Sequence, residues 1–218
     1  MPNVHLVPSD TEIAVNNVFV IGKNYIVDPA RRAAQRERPL VISMKPTGAV
    51  ITPPARIELP EFSGCVHFEI ELVLLVGARA SKVSEADALG FIAGCGVGLD
   101  LTAHDLHQEA QTKGLPWTAC KGFDTAAPLS EFIDLQEIKD PQRVDFSLKV
   151  NGKTRQSGSS ADMIFSFAQM VSGVSHVCTL HPGDVIFTGT PAGAGPLHSG
   201  DLLDLDCNGR VKARFEVA

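Results

Sequence analysis

Two glutamates stand close together in one apolar stretch of this 218-residue chain, Val66-His67-Phe68-Glu69-Ile70-Glu71-Leu72-Val73-Leu74-Leu75-Val76. Its run of Ile, Val and Leu, closed by Gly77, predicts a strand. Alternation puts His67, Glu69, Glu71, Val73 and Leu75 on one side and Phe68, Ile70, Leu72, Leu74 and Val76 on the other. The two carboxylates then stand about 7 Å apart on a strand whose opposite face is core. Like charges so close, if buried, need a cation or a proton to compensate them. A solvated strand face with two exposed glutamates is the plainer alternative. Two features favour the compensated cluster: the hydrophobic residues that continue the glutamate side, and a third carboxylate, Asp100, in a similarly apolar, glycine-rich setting. Lys121, among the small and apolar residues of Ala119-Cys120-Lys121-Gly122-Phe123, requires a partner such as a carboxylate. A helix from Thr102 to Gln111 places Asp100, His104 and His107 at spacings of four and three on one face. Those three as transition-metal ligands are another option, one that leaves the glutamate pair unexplained.

These residues need a scaffold, and the rest of the chain supplies mostly strands. Residues 18–25 read as a short strand, residues 28–38 as a short helix or loop with Pro29 at a first helical position, and Pro39 to Pro46 as a strand carrying Lys45. Pro53, Pro54 and Pro60 punctuate a loop before the central strand. Ser84 and Asp87 resemble a capping box opening a helix through Leu89 and Ile92 to Gly94, and Gly94–Asp100 reads as a strand with close backbone approach. Asn151-Gly152 and Asn208-Gly209 turn two hairpins. Between them Ser159 caps a helix carrying Met163, Phe167, Met170, Val171 and Val174. A strand ending at Phe187 runs into Thr188-Gly189-Thr190-Pro191, whose glycines lack the spacing of a nucleotide loop but whose N–H groups and hydroxyls suit a small anion. The expectation is a β-rich α+β fold, with residues 1–17 as an N-terminal extension and 18–218 as one catalytic domain.

Composition narrows the class. A net charge of −6, with no basic cluster to offset it, argues against a nucleic-acid surface. The longest apolar run is too short to cross a bilayer, and no charged segment followed by an apolar one suggests a signal peptide. Five scattered cysteines, never spaced C-x-x-C, fit reduced thiols in a cytoplasm.

Several motifs coincide in order: Gly22-Lys23-Asn24-Tyr25, Lys45-Pro46, His67-Phe68-Glu69-Ile70-Glu71-Leu72, Asp100-Leu101-Thr102-Ala103, Trp117 then Lys121-Gly122-Phe123-Asp124, Asn151-Gly152 with Gln156, and Pro182-Gly183-Asp184 before Thr188-Gly189-Thr190-Pro191. Together they resemble the fumarylacetoacetate hydrolase family, in particular its short acylpyruvase and oxaloacetate decarboxylase members. The resemblance implies a mixed β-sandwich roll, a homodimer, and Mg²⁺ or Mn²⁺ bound by Glu69, Glu71 and Asp100. It implies Lys121 as the active-site lysine, a Thr190 contact to a substrate carboxylate, and small α-keto or β-diketo acids as substrates. Gly189 and Tyr25 fall in the same substrate-binding motifs, and residues 22–46 contain the segment that would close over the site.

Two departures stand out. Where hydrolytic members carry a His/Glu pair that activates water, this chain has Asp28 and Arg31; where they carry an arginine and a glutamine, it has His104 and His107. Asp28 can serve as base with Arg31 orienting it or gripping a carboxylate. His104 or His107 can instead move the proton, since a histidine with a near-neutral pKa suits that task, although a helix-face histidine is often merely hydrogen-bonded. Cleavage of a C–C bond in an acylpyruvate-type acid is the leading expectation, with decarboxylation or isomerisation next and a metal and keto-acid binder with weakened catalysis last.

Overall fold

A computed structural model describes residues 2–26 and 32–218. A nine-stranded mixed sheet runs in the spatial order Thr11–Ala14, Asn3–Val7, Ala127–Asp134, Ile92–Leu99, Ile70–Val76, Val185–Phe187, Val18–Gly22, Val41–Lys45, with the short Val50–Ile51 added beside Ala127–Asp134. A four-stranded antiparallel sheet, Lys153–Ser159, Asp145–Val150, Leu202–Cys207, Val211–Glu216, packs on it, Val211–Glu216 against Ala127–Asp134 and Leu202–Cys207 against Ile92–Leu99. A three-stranded sheet of Gly195–Pro196, Val66–Phe68 and Thr102–Ala103 closes one end. The strand-rich α+β class is as expected. The N-terminal residues contribute a hairpin, and its strand Asn3–Val7 pairs in parallel with Ala127–Asp134.

Glycine permits the central packing. A Cβ added at Gly94 would sit 2.8 Å from Ile133 O, at Gly96 2.6 Å from Glu131 O, and at Gly98 2.8 Å from Pro128 O. Only a chain without side chains at those alternate positions lets Ile92–Leu99 lie this close to its neighbour. The two Asn-Gly hairpins form as the sequence indicates, with both residues of each turn at positive φ (52° and 75° at Asn151 and Gly152; 55° and 68° at Asn208 and Gly209).

Four expectations are corrected. The stretch from Val66 to Val76 is two strands, Val66–Phe68 and Ile70–Val76, which belong to different sheets. The chain changes sheets at Glu69 because Asp100 N donates to Glu69 O (2.9 Å) and Ile70 N to Gln156 Oε1 (2.9 Å). Beyond the break every residue of Ile70–Val76 is buried, as the hydrophobic residues continuing the glutamate side indicated. Thr102–Ala103 is extended and pairs with Val66 and His67; the helix is His104–Lys113, so Asp100 lies outside it. Ser84 does bond Asp87, through Oγ to Oδ2 at 2.7 Å, but only a single 3-10 turn, Ala88–Phe91, follows before the strand from Ile92. Finally, Ser159 caps a 3-10 turn, Ser160–Asp162, and the long helix is Phe167–Val177, capped by Ser166 in a reciprocal box with Gln169. Met163 precedes that helix and bridges to Tyr25 instead.

Candidate metal and substrate site

Glu69, Glu71 and Asp100 converge, each offering a carboxylate oxygen, with these oxygens all within 4.8 Å of one another. Glu71 comes from the buried strand Ile70–Val76, Glu69 from the junction just before it, and Asp100 from the end of the adjacent strand. Two lysines answer them. Lys121 Nζ reaches Asp100 Oδ2 (2.6 Å), Glu69 Oε2 (2.8 Å) and Thr102 Oγ1 (2.6 Å). Lys45, whose side chain is 0% exposed, places Nζ 2.7 Å from Asp100 Oδ1. The angle of that ion pair falls outside hydrogen-bonding geometry, so Asp100 Oδ1 is buried without a hydrogen bond.

Electrostatics follow from this arrangement. Burial works to raise the Asp100 pKa, but Lys121 and Lys45 overcome it and hold the carboxyl below its usual value. Burial opposes charge on Lys121 as well, yet Asp100 and Glu69 more than offset it and its pKa is raised. Glu71 is treated differently. Burial, then Asp100 and Glu69, push its pKa well up, opposed chiefly by the N–H of Gly189, which donates to Oε2 at 2.6 Å. Three carboxylates against two ammonium groups leave one negative charge in excess when all are ionised (3 − 2 = 1). A divalent cation offsets that excess. An all-oxygen donor set of three converging carboxylates can hold a hard cation of that kind.

The glycine–threonine loop braces this cluster. Thr188 Oγ1 donates to Leu72 O (2.8 Å), and Thr190 Oγ1 donates to Ile70 O (2.7 Å) while accepting from Gln156 Nε2 (2.8 Å). Gly189 takes φ 97°, which favours glycine, and a Cβ there would meet Asn24 Cβ at 2.8 Å. Asn24 donates to Thr188 O (2.8 Å) and accepts from Phe165 N (2.7 Å), fixing the chain that presents Tyr25. The Tyr25 hydroxyl is buried with no hydrogen-bond partner among the described residues, and burial, then Glu71, raise its pKa. An unpaired buried hydroxyl beside a carboxylate cluster is a ready donor for a bound oxygen.

The histidines form a half-buried rim. His67 and His104 stack face to face, ring centroids 4.1 Å apart and planes 4° off parallel. His107 meets Trp117 edge-on at 4.8 Å, and Trp117 O accepts the backbone N–H of Lys121 (3.0 Å). Gln108 Nε2 lies 3.1 Å from His104 Nε2 and Gln111 Nε2 3.3 Å from His107 Nε2. An amide nitrogen only donates, so in this arrangement each Nε2 is the acceptor, which corresponds to the tautomer with its proton on Nδ1. Burial, followed by the charge of Lys121, lowers the His107 pKa.

The structure thus brings Glu69, Glu71, Asp100, Lys121 and Gly189 into one cluster, with Thr190 engaged behind it and His104 and His107 on its rim. Asp28 and Arg31 lie outside the described residues. Sequence reasoning gave no role to Lys45, His67, Thr102 or Gln156. The signal for Lys45 was its place at the end of an apolar strand, where a charged side chain has to find a partner if it turns inward.

Comparisons with known proteins agree with this geometry. A sequence profile of the fumarylacetoacetate (FAA) hydrolase C-terminal domain matches residues 17–218. The mitochondrial oxaloacetate tautomerase FAHD1 of Homo sapiens is 38% identical over 203 residues, spanning 92% of this chain and 91% of that protein. The fumarylpyruvate hydrolase of Pseudomonas aeruginosa, solved with Mn²⁺ and pyruvate, superposes with a TM-score of 0.91 at 30% identity, covering 100% of this chain and 95% of its own. The 5-carboxymethyl-2-hydroxymuconate delta-isomerase of Mycobacterium smegmatis superposes at 0.86 with 34% identity, over 94% and 80% of the two chains. Among the described residues no helix is long and apolar enough to cross a membrane.

Proposed function

The chain belongs to the fumarylacetoacetate hydrolase family, and on that premise we propose that it is a divalent-metal enzyme interconverting the keto and enol forms of a small α-keto diacid such as oxaloacetate. The observation that carries the reading is the charge excess at Glu71: three converging carboxylates, two of them answered by ammonium groups and the third only by a backbone N–H. Glu69, Glu71 and Asp100 would hold Mg²⁺ or Mn²⁺, which when bound polarises the substrate's α-keto oxygen and favours the enolate.

This chain's own groups do the rest. Lys121, bonded to Asp100 and Glu69, places positive charge where the enolate forms. His104 and His107, each beside a glutamine amide at Nε2, have Nδ1 left to meet a substrate oxygen. In this reading Asp28 is the base, with Arg31 three positions on in sequence to orient it or grip a carboxylate. Tyr25 supplies its unpaired hydroxyl, the Gly189 N–H holds Glu71, and Thr190 braces the strand that carries Glu71 while standing in the motif expected to meet a substrate carboxylate. The reading carries with it a homodimer working in the cytoplasm.

A second reading, hydrolytic C–C cleavage of an acylpyruvate, is favoured by the likeness to the fumarylpyruvate hydrolase. Both need a stabilised α-keto enolate, that of the intact diacid in one case and that of the departing pyruvate in the other; cleavage also needs an activated water, for which the His/Glu pair is replaced by Asp28 and Arg31. One experiment separates them. Protein with Mg²⁺ or Mn²⁺ is given enol-oxaloacetate, acetylpyruvate and fumarylpyruvate, while enol absorbance, CO₂ and released pyruvate are followed. Metal-dependent loss of the oxaloacetate enol without CO₂ or pyruvate is expected. Pyruvate release from an acylpyruvate would establish cleavage instead, and no turnover of any substrate with either metal would overturn both.

A further inference from the structure

A lysine with no exposed side-chain surface is unusual enough to need a reason. Lys45 ends the edge strand Val41–Lys45, and two N–H groups of its ammonium end on backbone carbonyls: Leu101 O at 2.9 Å and Lys121 O. Its charge faces Asp100 Oδ1 at 2.7 Å. One side chain therefore ties the residue after Asp100, the carboxylate of Asp100 and the end of the short helix Thr118–Lys121 to a single point.

The contact is built tightly on its other side too. Pro46 lies against Gly122, where an added Cβ would stand 2.7 Å from Pro46 Cδ and 2.9 Å from Thr118 O. Lys45-Pro46 and Lys121-Gly122 thus interlock, and the interlock needs both the proline ring and the bare glycine.

We propose that Lys45 is a positioning residue for the carboxylate cluster: it fixes Asp100 through Oδ1 and Lys121 through its carbonyl, so that Asp100 Oδ2 and Lys121 Nζ keep their mutual register. This rests on the reading of Glu69, Glu71 and Asp100 as metal ligands. It is distinct from a purely electrostatic role, and the two differ in sign. A cation 2.7 Å from a ligand carboxylate repels a metal ion, so if Lys45 contributed charge alone, its removal would tighten metal binding. If it positions Asp100, removal loosens metal binding although the site becomes more negative.

The test is calorimetric titration of the full-length protein with Mn²⁺, which needs no substrate. Lys45→Met keeps length and removes the charge and donors. Its Mn²⁺ affinity should fall by about tenfold or more, the range for losing a group that orients a ligand. At saturating Mn²⁺ its kcat on oxaloacetate should fall with KM unchanged. Gly122→Ala separates geometry from charge, because it displaces Pro46 and leaves every charge in place; it should weaken Mn²⁺ binding in the same direction by a smaller factor. It also decides the matter alone if Lys45→Met does not fold. Mn²⁺ binding as tight as or tighter than wild type in a folded variant would overturn the proposal. Wild-type protein that binds Mn²⁺ but turns over no keto acid would overturn the proposed reaction and leave the Lys45 comparison decisive. Wild-type protein that binds no Mn²⁺ would overturn both.

Discussion

The carboxylate cluster and the histidine rim are built in opposite ways. Glu71, Asp100, Lys45 and Lys121 are buried, come from strand ends and one short helix, and are tied to one another or to backbone atoms. The rim histidines are half-buried, sit on or beside the helix His104–Lys113, and are held by ring stacking and by glutamines one turn along. A buried cluster whose charges depend on one another cannot lose a member cheaply, whereas a rim held by single contacts can. The difference suggests a constant chemical end and an adjustable end that chooses the substrate.

The largest test of this contrast is Asp100→Ala. It leaves the buried Lys45 without its carboxylate and Lys121 with Glu69 alone, so a loss of about 3–5 kcal/mol in unfolding free energy is expected, read by denaturant titration. A loss below about 1 kcal/mol, typical of exposed pairs, would break the distinction.

Glu71→Gln sharpens it. Glu71 has a folded pKa raised above its unfolded one, so its proton contributes stability below the unfolded value, and that contribution is lost as pH rises through the folded value. Near neutral pH without metal, keeping Glu71 in this buried site costs stability, and Gln removes that cost. The variant should therefore melt higher than wild type in chelator at neutral pH, show little difference in acid, and gain nothing from Mn²⁺. Wild-type protein should bind Mn²⁺ more weakly as pH falls and release a proton on binding.

At Gly96, an added Cβ would stand 2.6 Å from Glu131 O, and Gly96→Ala should destabilise by about 1–3 kcal/mol through overpacking. Smallest of all should be His104→Ala, measured by thermal melting and Mn²⁺ titration. Stability and metal affinity should stay near wild type, while KM for a diacid rises severalfold. An equal fall in metal affinity would merge rim and cluster into one unit.

How much of this the sequence disclosed depends on how local each cause is. The carboxylates were legible because charges inside an apolar strand are a contradiction visible within a few residues, and the hairpins because Asn-Gly turns are decided by two positions. The break at Glu69 was not legible. It depends on Gln156, 86 positions from Ile70, and on the backbone of Asp100. The helix cap was ambiguous for a different reason: Ser159 with Asp162 and Ser166 with Gln169 offer the same local signature, and Met163, extended at ψ 147°, stops the first after one turn. Lys45 at a strand end reads like any solvated terminus until Asp100 and Lys121 fold against it. The histidine departures were visible as letters, but the glutamines that set their tautomers became meaningful only on the helix from His104.

The interruption at Glu69 has a mechanical consequence. Because Glu69 sits at the seam and Glu71 within the large sheet, an ion gripped by both would rivet the small end sheet to the main body. Amide hydrogens of Val66–Phe68 and Thr102–Ala103 should then exchange more slowly with deuterium in Mn²⁺ than in chelator, while those of the distant Asn208-Gly209 hairpin keep their pace.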